Sequence, residues 1–457
     1  MVDKYTGEPF AEVAIPTGDQ LERAIAAAAG ARTTMADLPA YRRAEIIRTA
    51  AGILSSQKEE LTVTIAREAG KPYRYAKAEV ERTIENLEYC AEEAKRIHGE
   101  TVPVDAGRSG EGRWGYYERF SIGVVAAISP FNFPLNLAAH KVGPAVAAGC
   151  PVILKPATAT PLSGLALGRA FAHAGLPEGG LSVLPGPGGE VGETLASDPR
   201  IEKVSFTGSR AVGQRLVGVA GMKRVTLELG GNSAVVIDET TEDMDYAARR
   251  CVLGAFYNQG QVCISVQRIY VHQKLYDTFL DKFLSETRKL KIGNPVEPGT
   301  EIGPMISQTE AERVQCWVDE AVQQGARALC GGRHDGNVYH PTILIGAKPD
   351  MKVVRDEIFG PVAVVQGVPS FEEGVRLADD SQYGLQAGIF TSNIDRVLQA
   401  VRRLNVGGVM VNDIPSYRID HMPYGGNKGS GLGREGAKFA IEEMTTLRMV
   451  IFNLKRK

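Results

Sequence analysis

The chain has 457 residues, 44% of them hydrophobic and 23% charged, with 52 basic against 54 acidic side chains and a formal net charge of −2. A chain of that size and balance builds more than one globular core and offers neither a nucleic acid nor a charged membrane surface an electrostatic footing. Its six cysteines, Cys90, Cys150, Cys251, Cys263, Cys316 and Cys330, lack CxxC spacing and histidine companions, so a disulfide framework or a bound metal is not expected.

Along the chain, the N-terminal residues lack the apolar core of a signal peptide. Residues 19–98 repeat apolar positions at intervals of three and four, as in Ala44, Ile47, Ala50, Ile53 and Leu54, which predicts a series of amphipathic helices stopped by Gly99. Residues 121–129 (SIGVVAAIS) and 151–154 (PVIL) are short apolar runs bounded by Pro and Gly; they predict buried parallel strands with a helical stretch between them. The region 121–154 is broken by Pro130, Pro134, His140, Lys141 and Pro144, and so does not read as a membrane span. Further strands are predicted at 181–184, 204–206 and 224–227, alternating with helices at 192–196 and 212–220. That alternation implies an α/β chain built on a doubly wound parallel sheet. A second helix-and-strand series runs from about residue 245 to 412, and 446–454 (TLRMVIFNL) predicts a last strand whose edge needs a partner.

Three residues outline a covalent chemistry. Cys263 sits among glycine and small polar residues in NQGQVCIS, where a thiol can meet an electrophile; Glu228, about 35 residues upstream in LELGGN, is a carboxylate able to activate water. Asn132 in FNFP adds an amide donor, and the three together outline a thiohemiacetal reaction. An inert buried cysteine and an idle surface acid are the competing readings. Phe206, Thr207, Gly208 and Ser209 follow a predicted strand and open a helix, a setting that binds phosphate or is merely a strand-to-helix turn. Lys155 ends the run 152–154, at the end of a strand where open sheets bind ligands, or is a solvated loop lysine.

The segments FNFP, LKPA, FTGS, LELGGN, NQGQVC, EIFGP and PYGGNKGSG occur in one order from about residue 5 to the C-terminus, and in that order and spacing the chain resembles the aldehyde dehydrogenase superfamily. The resemblance implies a Rossmann-type doubly wound cofactor domain at 1–99 and 123–231 and an α/β catalytic domain at 232–427. It also implies a small β oligomerisation element at 100–122 and 440–457, hence a homodimer or homotetramer. Cys263 would be the nucleophile, Asn132 and the Cys263 N–H the oxyanion donors, and Glu228 the base that hydrolyses a thioester. The expected substrate is a small-molecule aldehyde, oxidised to its acid. For the cofactor, Lys155 would hold the adenosine ribose, Gly208 and Ser209 the pyrophosphate, and Glu357 the nicotinamide ribose, with Phe131 and Phe359 beside it. Thr158 stands where many NAD-preferring members carry a glutamate that repels a 2′-phosphate, and Arg210 follows Ser209, so NAD and NADP both stay open.

His140, Arg418 and, less directly, Arg82 align with tunnel positions that are often aromatic. Together with Tyr424 they suggest a short aldehyde carrying an anionic or polar group. The plainer alternatives are a solvated Arg82, an Arg418 paired with Asp420, and a core His140. Glu228 speaks against the coenzyme A-acylating members, which dispense with it, and the joint presence of Cys263, Glu228, Asn132, Lys155 and Glu357 against a non-catalytic structural descendant. A reducing cytoplasm suits the free thiol.

Overall fold

Every residue of the strands Val125–Ile128, Val152–Lys155 and Lys203–Thr207 is buried in the computed structural model, which describes residues 1–454. A strand buried on both faces needs a layer of helices on each side, and the flanking sequence supplies them. The first sheet runs in the order Gly431–Leu432, Arg224–Glu228, Lys203–Thr207, Val125–Ile128, Val152–Lys155, Leu181–Val183. All its pairings are parallel except the antiparallel edge formed by Gly431–Leu432. The winding reverses between Val125–Ile128 and Lys203–Thr207, and such a reversal opens a crevice beyond the carboxyl ends of the strands. Residues 129–132 and 208–209 frame that crevice.

The periodic region predicted at 19–98 folds as Gly18–Gly30, Arg32–Ala36, Ala40–Ser56, Lys58–Ala69 and Tyr73–Ala94. Ala44, Ile47, Ala50 and Leu54 are buried together on one face of the third of these helices. The last helix ends at Ala94, short of Gly99. Gly99 is needed for close approach instead, because a Cβ there would lie 1.6 Å from the Tyr117 carbonyl oxygen. The helix expected at 192–196 is preceded by a wide turn, Gly188–Gly192, and occupies Glu193–Ser197.

A second sheet of seven strands lies in the order Arg327–Cys330, Thr342–Ile345, Val362–Val368, Val266–His272, Ser233–Ile237, Gln386–Phe390, Gly408–Val411, parallel except at its first pair. A third, antiparallel sheet joins Glu100–Val102, Arg113–Ser121 and Thr445–Asn453, the last two in register from Arg113 opposite Asn453 to Ser121 opposite Thr445. Leu447, Met449 and Ile451 stand exposed along it. The helix Ala437–Glu443 sends Ala437 and Ile441 into the core packed beneath the helices Ala40–Ser56 and Tyr73–Ala94. Of the residues expected in the oligomerisation element, 455–457 lie outside the described residues. No helix among the described residues is long and apolar enough to cross a membrane.

One buried ion pair sits where three elements meet. Lys71 and Glu79 are both fully buried and bonded to each other. The Lys71 ammonium lies 3.7 Å from the centre of the Phe133 ring. The second Glu79 oxygen accepts the backbone N–H groups of Leu135 at 3.0 Å and Asn136 at 3.2 Å, at the start of the helix Asn136–Ala147. Removing one partner of such a pair strands the other charge without water. Glu79→Ala is therefore expected to lose roughly 3–5 kcal/mol of stability, read from urea or thermal unfolding, whereas Glu45→Ala, which breaks only the exposed Arg42 pair, should change it by less than about 0.5 kcal/mol. Equal losses in the two variants would deny the buried pair its structural weight.

Candidate active site

The helix Met244–Phe256 ends in a turn, Tyr257–Gly260, in which Asn258 and Gln259 hold left-handed backbone, φ 49° and 55°. Two successive non-glycine residues in that region are strained and persist only when their surroundings enforce it. The enforcement is visible. Gln259 Nε2 donates to the carbonyls of Gly70 at 2.7 Å and Pro304 at 3.1 Å, and Gln261 Oε1 accepts Ile306 N–H at 3.0 Å. Asn132 Nδ2 donates to the Gln261 carbonyl at 2.9 Å, and Asn258 Nδ2 returns a bond to the Asn132 carbonyl at 3.3 Å. The chain crossing between the two large sheets passes the same point at Gly230 and Gly231. A Cβ on Gly230 would lie 2.0 Å from Glu357 Oε2, and one on Gly231 2.4 Å from the Cys263 carbonyl oxygen.

The result is a cavity of about 350 Å³ whose wall includes Asn132, Glu228 and Cys263 together with Phe131, Gly208, Ser209, Glu357 and Phe359. Cys263 is half-buried, while Cys90, Cys150 and Cys251 are wholly buried elsewhere; all six cysteines are free. Its sulfur lies 3.0 Å from the Tyr424 hydroxyl oxygen. Burial pushes the thiol up to about 11, opposed by the Tyr424 hydrogen bond and the Arg418 charge. Glu228 ends the strand Arg224–Glu228, and neither of its carboxylate oxygens has a protein partner. Burial, and then the Glu435 charge, push it well above the usual carboxylate range, against the pull of Arg418, Lys141 and Arg434. Of the two amide hydrogens of Asn132, the Gln261 carbonyl needs one, which leaves one for a ligand.

The expected cofactor residues divide between wall and rim. Ser209 caps the helix Arg210–Ala220, accepting Val212 N–H at 3.4 Å, and Gly208 leaves no room for a Cβ, which would meet the Phe206 ring at 2.4 Å. Glu357 accepts Gly231 N–H at 2.9 Å and is raised by burial to about 7. The Phe131 and Phe359 rings meet edge to face at 5.8 Å. Ala157 is on the wall, whereas Lys155 and Thr158 lie just off it. Lys155 is buried with only the Pro156 carbonyl, at 3.1 Å, for company, and burial lowers its ammonium to about 8. Thr158 is spent on the Gly186 carbonyl at 2.8 Å. A helix N-terminus, a buried lysine without a carboxylate and a buried carboxylate held by one N–H fit the phosphate and the ribose hydroxyls of a dinucleotide. Among the described residues no cluster of His, Cys, Asp or Glu could hold a metal ion.

The expected cationic cluster is present in the fold but differently wired. Asp420 accepts Arg82 through both oxygens, at 2.7 and 3.1 Å, His140 Nε2 at 2.8 Å and Asn136 Nδ2 at 3.2 Å. The pairing of Arg418 with Asp420 weighed from sequence is not made; Arg82 takes that place, and it is not a solvated helix residue. Arg418 pairs with Glu435 at 3.1 Å and stacks on the Tyr424 ring, 3.6 Å from its centre, and its buried Nε has no partner. Burial, and then Arg418, lower the His140 imidazole, so it sits neutral beside Asp420. Two groups here escaped sequence reasoning: Glu435, and Lys141, whose ammonium reaches Glu435 at 2.8 Å and Thr207 Oγ1 at 2.7 Å. Tyr257, packed on Phe133 at 5.9 Å, also went unread beside the cysteine motif.

The comparisons with known proteins bear on the family and the fold. The profile of the aldehyde dehydrogenase family matches residues 1–450. A 3-sulfolactaldehyde dehydrogenase of Priestia aryabhattai is 47% identical over 455 residues, covering 99% of this chain and 94% of that one. Aldehyde dehydrogenase 21 of Physcomitrella patens, solved in complex with the reaction product succinate, superposes with a TM-score of 0.97 at 41% identity, over 99% of this chain and 94% of that one. A glyceraldehyde-3-phosphate dehydrogenase of Methanocaldococcus jannaschii, complexed with NADP, gives a TM-score of 0.95 at 35% identity, over 99% and 98% of the two chains. With a family match from end to end and a free cysteine, an unpaired glutamate and an amide donor on one cavity wall, the chain belongs to the aldehyde dehydrogenase family.

Proposed function

We propose that the protein oxidises a short aldehyde carrying an acidic group to the corresponding carboxylic acid, with NAD or NADP as hydride acceptor. The observation that supports it most is the meeting of Cys263, Glu228 and Asn132 on one cavity. Cys263 Sγ attacks the carbonyl carbon, and the carbonyl π pair moves to oxygen. The free Asn132 amide hydrogen and the Cys263 backbone N–H are the donors assigned to that oxyanion, each worth roughly 10²–10³ in rate. The chemistry a bound nicotinamide dinucleotide supplies is acceptance of the hydride, which leaves a thioester on Cys263. Glu228 then takes a proton from water as the water's oxygen attacks the thioester carbon, and the acid leaves as the sulfur departs. Ser209 and the helix it caps, Glu357 and Lys155 are the residues assigned to holding the dinucleotide. Thr158 bears no charge that would repel a 2′-phosphate, so the reading takes either cofactor.

The charge balance around Tyr424 supports an acidic substrate. Arg82, Lys141 and Arg418 face Asp420 and Glu435; against the cost of burial, the Lys141 and Arg418 charges hold Glu435 down at about 2, while burial raises Glu228. Arg418, with its unpartnered Nε, is the cation left with a donor to offer. The relatives named for sulfolactaldehyde and solved with succinate handle small acids, which agrees with that reading. A reducing, cytoplasmic setting belongs to it as well, supported by six free cysteines. So does a homo-oligomer joined through the exposed apolar strand Thr445–Asn453.

Cys263→Ala is expected to abolish nicotinamide reduction with any short aldehyde; undiminished turnover would end the mechanism. Because burial raises the Glu228 carboxyl, its base form grows as pH increases, so kcat in the native enzyme should climb with pH over a range above that of an ordinary carboxylate. Glu228→Gln should lose that limb and accumulate a thioester detectable on the intact protein by mass spectrometry. Replacing Arg418 with Phe removes a charge-assisted donor, and kcat/KM for acidic aldehydes should fall about 10–100-fold while neutral aldehydes change little. Equal effects on both classes would remove Arg418 from substrate recognition.

A further inference from the structure

We infer that the Tyr424 hydroxyl is a catalytic hydrogen-bond donor to the Cys263 sulfur, stabilising the thiolate form of the nucleophile when it ionises. The inference rests on Cys263 being the nucleophile proposed above. Its first support is contact: Oη and Sγ are 3.0 Å apart, and this is the one hydrogen bond of the Tyr424 side chain among the described residues. The second is context. The Tyr424 ring packs with Phe133, Leu137, Val262, Ile264 and Leu385, a setting a phenylalanine would satisfy without cost. A hydroxyl buried among such side chains is unfavourable unless a good acceptor meets it, and a neutral thiol is a weak one. A thiolate is a strong one, since hydrogen bonds to ionised groups are about twice as strong as neutral ones.

The phenol is also held in place and polarised. Tyr424 N–H donates to the Glu435 carbonyl at 3.1 Å and its own carbonyl accepts Glu435 N–H at 2.7 Å, which pins the backbone on both sides. The Arg418 guanidinium, 3.6 Å above the ring centre, presses a positive charge on the π face and so strengthens the hydroxyl as a donor. Proton bookkeeping is simple. A thiol is more acidic than a phenol by about 1.5 units in the free amino acids, and here burial and then the Cys263 charge push the phenol well above its ordinary range. When Cys263 ionises, the thiol proton leaves to solvent and Tyr424 keeps its own, so Tyr424 acts as a donor and is not itself a base.

The test is alkylation by iodoacetamide as a function of pH, with the modified peptide identified by mass spectrometry, in the native enzyme, Tyr424→Phe and Cys263→Ala. Tyr424→Phe keeps the ring and its Arg418 stack, and its thermal midpoint should match the native one. Labelling at Cys263 should slow about tenfold near neutral pH and its midpoint should rise by about one unit. The rate of the acylation burst should fall in parallel, with KM for the aldehyde nearly constant. Labelling at Cys263 with an unchanged pH profile overturns this inference alone, and so does a uniform loss of kcat without a shift, which would make Tyr424 a packing residue. Labelling that falls on another cysteine, with Cys263→Ala still turning over, removes the nucleophile assignment and this inference with it.

Discussion

Two backbone segments from different sheets have to meet around one substrate carbon, and the cross-tie between them is the contact on which the site depends. Asn132 leaves the first sheet and Cys263 precedes the strand Val266–His272 of the second, and their loops exchange hydrogen bonds through Asn132 Nδ2 to Gln261 O and Asn258 Nδ2 to Asn132 O. Neither loop is regular structure, and a loop without support does not hold donors to the few tenths of an ångström that an oxyanion demands. The support comes from one short stretch between two helices. The Gly70 carbonyl anchors Gln259 of the cysteine loop, while Lys71 and Glu79 grip Phe133, Leu135 and Asn136 of the asparagine loop. The left-handed turn at Asn258 and Gln259 stores strain that this bracket over-determines.

Burial raises two carboxylates in one cavity that differ in their partners. Glu357 accepts a backbone N–H and is raised only to about 7, so it can present a charged or neutral acceptor to a ribose. Glu228 has no hydrogen-bond partner, and burial and then the Glu435 charge raise it well above the usual carboxylate range. An unpaired buried acid is costly to the fold, and strongly shifted groups in clefts mark functional sites because the cost has to be recovered elsewhere. Recovery here comes from the neighbouring cations, which draw Glu228 toward ionisation without forming a salt bridge that would quench it as a base.

The residues that could be read from the chain alone are those whose meaning is local. Cys263, Glu228, Asn132 and Ser209 each lie in a short segment whose neighbours set backbone and exposure, and the parallel sheet followed from apolar runs punctuated by Pro and Gly. What escaped was long-range pairing of charge. Arg82 and Asp420 are 338 positions apart, and Lys141 and Glu435 are 294 apart, so each reads as a surface ion until the fold closes over it. Arg418 and Asp420, two positions apart, invited a pairing that the chain geometry does not allow, because Asp420 turns into the helical layer and Arg418 onto Tyr424. Lys71 and Glu79 look like the solvent side of a helix pair and are among the most deeply buried groups in the protein. Gly99 is a reminder of the same kind: a glycine after a periodic run suggests a helix stop, yet the constraint is a carbonyl on a neighbouring strand.

Arg418 couples substrate choice to the chemistry through Coulomb's law alone. Its charge is shared among Glu435, the Tyr424 ring and, at longer range, Glu228 and the Cys263 sulfur. An unpartnered buried N–H costs about 1–3 kcal/mol, and a substrate with an acidic group recovers that cost where a neutral one does not. The recovery has a second effect. A bound anion neutralises part of the guanidinium's field, so the pull that Arg418 exerts on Glu228 weakens and the carboxylate becomes a stronger base when the acyl group is in place. The same loss of field would make the thiolate harder to form, and this is where the short, directional bond from Tyr424 matters most, since it acts on the sulfur by contact.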